Sequence, residues 1–254
     1  MALIERHAGK PNMSAWINEL YDHMNQTCLV LIDRSMWFER LHDAVRADGF
    51  ASVVRRNRRL AGKQSEFAEP VRFAFSYAQR VFLCSAMEWC LMHQFINSVA
   101  LLEQLSPSGL RELRALHQTL KKKFKIRSWD EWTKLPRPVR HEQLRQLSFS
   151  RLATAEELFA DIYGKNCLLS ALGRDYRDRL AEQYEQYQTL RNGILHRGGE
   201  TASGAKIEAS EADLRSAFED ARLFRDGILR LSAWCRERWL ARVAEGSGGA
   251  PLLH

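Results

Sequence analysis

The chain has 254 residues, 45% of them hydrophobic, and a formal net charge of +7. It is long enough to bury a core of its own, and its basic balance favours a polyanionic partner without saying which one. It has no signal-like apolar start and no run of roughly 18 uninterrupted apolar residues, which excludes a membrane span and makes the cytoplasm the expected location.

Apolar residues recur three or four positions apart, with almost no β-branched alternation. The expected fold class is therefore all-α: a helical bundle with a long central helix and a C-terminal antiparallel helical hairpin. From Ser14 to about Asp48, apolar positions from Trp16 and Ile17 to Leu41 and Val45 suggest two helices, ended by Asp48-Gly49. A basic segment with Arg55, Arg56, Arg58 and Arg59 follows. Residues 71–105 are the most apolar stretch and read as a central helix covered on most sides, broken by Ser106-Pro107-Ser108-Gly109.

A helix is expected from about Leu110 to Lys125. Periodicity then weakens as far as Arg151, where Pro136 and Pro138 forbid a continuous helix. Residues 106–151 read as an insertion or lid within a single domain spanning 1–245, whose first 70 residues supply N-terminal helices. Thr154 and Glu157 have capping-box spacing, so a helix is expected to start there and to stop near Gly164. The last third predicts a helix from Asp175 to Arg197, a polar loop, and a helix from Glu211 to Ala244 capped by Ser210. Their apolar stripes run from Leu180 to Ile194 and from Leu214 to Leu240. Residues 246–254 offer nothing to pack and are expected to be a disordered tail.

The five cysteines, Cys28, Cys84, Cys90, Cys167 and Cys235, are odd in number and lack CxxC spacing, which favours free buried thiols in a reducing compartment. His23, His42, His93, His117 and His141 have no ligand spacing with one another or with cysteine, so no metal and no cofactor are expected.

One segment, Leu190 to Gly199, is chemically specific. Arg191, Asn192 and His196 end an amphipathic helix, and at about 100° per residue Asn192 lies about 40° from His196 and about 100° from Arg191, so all three line one broad groove. A histidine near neutral pKa can move a proton to or from a ribose hydroxyl, and a guanidinium can hold the charge that develops on phosphorus. With the 2′-hydroxyl of RNA as nucleophile, neither a metal nor a serine or cysteine nucleophile is needed. An arginine and a histidine at a helix C-terminus also have the plain explanation of favourable dipole placement.

Arg191, Asn192, three further residues and His196 match the R-N-x-x-x-H motif of HEPN domains, which the chain resembles. The layout of motif, polar loop and long final helix is similar too. The resemblance implies an all-helical, metal-independent endoribonuclease that dimerises so that two motifs face one cleft, leaving 2′,3′-cyclic phosphate and 5′-hydroxyl ends. It also implies a bacterial defence or toxin setting with an antitoxin or other partner protein. Ser85-Ala86-Met87-Glu88-Trp89 resembles the family's acidic helix, which makes Glu88 a candidate partner for Arg191. A toxin subgroup of the family carries tyrosine two positions after the histidine. Here that position is Gly198, which argues against that mode of regulation.

Arg197, Lys121, Lys122, Lys123, Arg55 and Arg56 are candidate RNA-backbone contacts, with Lys125 and Arg127 beside the lysines; charge runs are also commonly just solvated faces. Trp129 and Trp132 suit base stacking or, more simply, packing. The alternative function is a non-catalytic module of the same fold that binds RNA or a partner protein.

Overall fold

Helix is the only regular secondary structure among the described residues, and the chain is all-α. The computed structural model describes residues 12–44, 64–105, 110–111, 113–197, 203–204 and 211–245; within the helices, side chains at 35–44, 64–77, 195–197, 211–215 and 217–218 are outside the description. In chain order the helices are α1 (Met13–Ala44), α2 (Gln64–Leu105), α3 (Arg114–Phe124), α4 (Trp129–Lys134), α5 (Arg137–Arg145), α6 (Leu152–Tyr163), α7 (Cys167–Leu172), α8 (Arg174–Arg197) and α9 (Glu211–Ala244). No helix of the described residues is long and apolar enough to cross a membrane.

Several elements differ from the expectation. Residues 13–44 form one helix, not two, because no glycine or proline interrupts them. The central helix begins at Gln64, seven residues before its apolar stretch becomes obvious. Thr154 caps nothing: α6 starts at Leu152 behind Arg151, which makes no side-chain cap. Burial of Leu152 draws the helix start forward, and Glu157, inside the helix, is exposed. Gly164 does end the helix, at φ 90°. Pro136 and Pro138 separate α4 from α5 and also open α5, as its N-cap and second residue, where missing amides cost nothing.

The chain divides into two compact units: Met1–Cys28, Glu88–Ala181 and Asp226–His254 form the first, and Leu29–Met87 with Glu182–Arg225 the second. In the first unit Phe95 of α2 lies against Phe149 and Phe159, both with ring centroids 5.7 Å away. Helix α6 packs on α3 and α7. The segment expected to be a lid places Trp132, Leu144, Leu147 and Phe149 in this core, where each large apolar side chain contributes about 1.5–3 kcal/mol. Trp132 also donates to Gln143 at 2.9 Å. Both Trp129 and Trp132 are buried and meet edge to face, so they pack and offer no face for a base.

Helix α3 lacks its own N-cap side chain. Asp161 of α6 supplies one from a distance, accepting from the Leu116 amide at 3.0 Å with the Ala115 and Arg114 amides also directed at it. Helices α8 and α9 run in opposite directions along their contacts. In the first unit Leu180 meets Gly227, and Arg230 lies 4.5 Å from the centroid of the Tyr176 ring. A Cβ on Gly227 would stand 2.9 Å from the Leu180 Cδ2, so glycine lets the helices approach there. In the second unit Tyr187 and Tyr184 meet Phe224 edge to face.

The first unit also holds a buried neutral network. Ser98 Oγ donates to the Gln94 carbonyl at 2.8 Å and sits 2.7 Å from Tyr163 Oη. Trp239 Nε1 donates to the same phenol at 2.7 Å, and Tyr21 Oη lies 3.5 Å from it. With Ser98 committed as a donor to Gln94, Tyr163 donates to Ser98 and accepts from Trp239. Burial holds both phenols protonated, with pKa values raised above the ordinary tyrosine range. All five cysteines are free and buried, and burial pushes the Cys167 and Cys235 thiols up to about 12.

Candidate active site on the motif helix

Helix α8 carries the motif at its C-terminal end. Its inward face is apolar at Leu180 and becomes mixed in the second unit, where Tyr184, Tyr187 and Gln188 are all buried. Polar atoms at such positions require partners, because an unsatisfied buried group costs about 1–3 kcal/mol. Gln188 Nε2 donates to Tyr184 Oη at 3.1 Å, and its carbonyl oxygen faces Arg191 Nη1 at 3.5 Å. Spacings of four and three residues put this relay on one side of the helix. Arg191 is half-buried, and one edge of its guanidinium faces a side chain of its own helix.

A second set of bonds ties α8 to α9. Tyr187 Oη donates to Asp220 Oδ2 at 2.6 Å, and Gln183 Nε2 donates to the same oxygen at 3.0 Å. The guanidinium of Arg80, from α2, lies 5.8 Å from the centroid of the Tyr187 ring. Burial raises the Asp220 pKa above the ordinary carboxylate value, opposed by the Tyr187 hydrogen bond, the Arg80 charge and Gln183. Burial and the neighbouring Asp220 together raise Tyr187 as well. A buried carboxylate held by a phenol, an amide and a nearby guanidinium is costly to build and fixes its neighbours tightly.

Asn192, the second motif residue, is exposed. His196 and Arg197 lie in the last turn of α8, and their side chains are outside the described residues. Arg55, Arg56 and Ser210 are also outside the described residues. Glu88 is half-buried on α2 and belongs to the first unit, whereas Arg191 belongs to the second. Within the second unit, Asp220 is a carboxylate bonded to the motif helix. The sequence offers one signal for it: Asp220 stands four residues before Phe224, in register with the apolar stripe of α9, where a charge is out of place.

The basic candidates of α3 are in the first unit. Lys121 and Lys122 are exposed and line a groove; Lys123 is turned away, donating to the Gln146 carbonyl and lying 5.8 Å from the Phe124 ring centroid. Comparison with protein-family models, with curated proteins and with solved structures finds no match to this chain.

Proposed function

We propose that this chain is a metal-independent endoribonuclease of the HEPN type, with Arg191, Asn192 and His196 as its reacting constellation. The observation that carries the proposal is the R-N-x-x-x-H sequence on the final turns of α8, ahead of the long helix α9. The Arg191 side chain there lies at a long 3.5 Å from Gln188, which is itself held by Tyr184. A surface helix end with only a dipole to satisfy does not require a buried amide relay beneath its arginine.

In the mechanism, His196 takes the proton of the ribose 2′-hydroxyl or gives one to the departing 5′-oxygen. The 2′-oxygen attacks phosphorus, the P–O5′ bond breaks, and the products are a 2′,3′-cyclic phosphate and a 5′-hydroxyl. Arg191 offsets the charge on the equatorial oxygens, and exposed Asn192 positions the phosphate or the imidazole. Two chains related by a two-fold axis bring two motifs to one cleft. Asp220, Tyr187 and Gln183 hold the helix and are positioning residues. The setting is a bacterial defence or toxin system in which a partner protein restrains the activity.

The test is cleavage of total cellular RNA in excess EDTA by wild type, Arg191→Ala and His196→Ala proteins of matched fold and oligomeric state. Removing one such group is expected to slow cleavage by about 10²–10³-fold or more. Variants that cut as fast as wild type would refute the assignment.

A further inference from the structure

We propose that a groove at the C-terminal end of α3 is a second RNA contact, binding the phosphodiester backbone of a single strand outside the cleavage site. The choice of RNA as ligand rests on the nuclease function proposed above; the anion site itself rests on the groove.

Gln118, Lys121, Lys122, Lys125, Ile126 and Arg127 line a groove of about 490 Å³ that opens to solvent. Its construction is local. Helix α3 ends at Phe124, Lys125 takes a left-handed conformation at φ 60°, and the chain turns so that Ile126 is buried beneath and Arg127 stands beyond. The helix dipole accounts for lysines in the last turn of α3, but not for the cation at the turn or the one after it.

The left-handed position is where glycine is least strained, and a side chain there is held against the backbone preference. A lysine at this point trades local stability for a charge aimed at the groove. No ion pair joins Lys121, Lys122, Lys125 or Arg127 to a carboxylate among the described residues. Of the two nearest acids in sequence, one pairs with a residue outside the lining and the other is held on the backbone beside it. Asp130 pairs with Arg111 at 3.1 Å, and Glu131 accepts from the Arg127 backbone amide at 2.7 Å. Four cations and an amide, with no carboxylate and no aromatic face in the lining, suit phosphate oxygens and not base edges or stacked bases. A recessed track with lysines on a helix and arginine on the following segment fits one backbone. A chain of charge +7 gathers such strands before they are held.

The test is fluorescence anisotropy on the full-length protein in EDTA, using a labelled 2′-O-methyl RNA of about 20 nucleotides at roughly 50 to 200 mM salt. That strand has no free 2′-hydroxyl and cannot be cut by the proposed route, so binding is read whether or not the protein is a nuclease. The double variant Lys121→Glu/Lys122→Glu is expected to weaken binding at least about tenfold and to flatten the salt dependence by about 1.4 in log–log slope, the share of two phosphates on a single strand. Lys125→Gly is expected to weaken binding while leaving the melting temperature unchanged or higher, which a merely structural residue would not do. A control pair, Lys165→Glu/Arg174→Glu, should bind as wild type does.

Groove variants that keep wild-type affinity and slope would overturn the site, as would equal losses in the control pair. Duplex DNA of the same length bound as tightly as the strand would overturn the single-strand assignment. Loss of binding in the groove variants, together with an inert wild type in the cleavage assay, would leave the groove standing and remove the nuclease.

Discussion

Two buried polar clusters, one in each unit, differ in charge. In the first, Tyr21, Ser98, Tyr163 and Trp239 form a neutral network whose members are held by one another and by the Gln94 carbonyl. In the second, Asp220 receives Tyr187 and Gln183 near the Arg80 charge, one turn from the motif arginine. A neutral network satisfies every donor at modest cost and specifies how helices α1, α2, α6 and α9 pack. A buried carboxylate costs more to desolvate, and its bonds to the middle of the motif helix fit a device that fixes geometry.

The largest expected effect separates these roles. Trp239→Ala empties a fully buried site and removes a donor to Tyr163; it should cost about 3–5 kcal/mol in chemical denaturation. A loss below about 1 kcal/mol would mean that the network is not an organising feature of the first unit.

The buried histidines of the first unit and Asp220 of the second should respond to pH with opposite sign. Burial, reinforced by the charges of Arg137, Arg140 and Arg145, lowers the His141 pKa to about 4, and burial first of all lowers His93 to about 4. Their unfolded forms bind protons more readily, so stability is full above the ordinary value of about 6.5 and falls as pH drops from there toward 4. For His141, which is buried, the loss should be about 1–3 kcal/mol, and His141→Gln should flatten it. Asp220 has a raised pKa, so its contribution is present at low pH and is lost as pH rises from the ordinary carboxylate value through its folded one. Asp220→Asn should remove that loss, as measured by melting temperature against pH.

A smaller effect is expected at Tyr187. Tyr187→Phe removes the 2.6 Å bond to Asp220 while Gln183 remains; it should cost about 1–2 kcal/mol and speed hydrogen exchange of the amides of residues 188–194. Unchanged exchange would mean that the charged cluster does not steady the motif helix. The smallest effect is at Thr154. As an interior residue of α6 it should tolerate alanine within about 0.5 kcal/mol, whereas a true N-cap would lose about 1.

Long periodic segments were legible from sequence. Helices α8 and α9 begin and end within one residue of expectation because their apolar stripes run for many turns. Shorter features depend on distant partners. The start of α6 follows burial of Leu152, α3 is capped by Asp161 from another helix, and the two prolines open α5 where weak periodicity suggested a lid. On α9 the stripe continues from Cys235 to the fully buried Trp239, one helical turn on, with half-buried Leu240 at its margin. At the site, Arg191 and Asn192 stand out as a motif and Asp220 as a charge in an apolar stripe, but Gln183 becomes visible as its partner only when two helices are placed side by side. An inward polar residue resembles an outward one until its neighbours are known.

The most direct measurement compares two end-labelled strands of one sequence, one of ordinary RNA and one fully 2′-O-methylated, each incubated with the full-length protein in excess EDTA. The account predicts that only the ordinary strand is cut, that its fragments end in 2′,3′-cyclic phosphate, and that His196→Ala leaves it intact. Cleavage of both strands, or of neither, would contradict it.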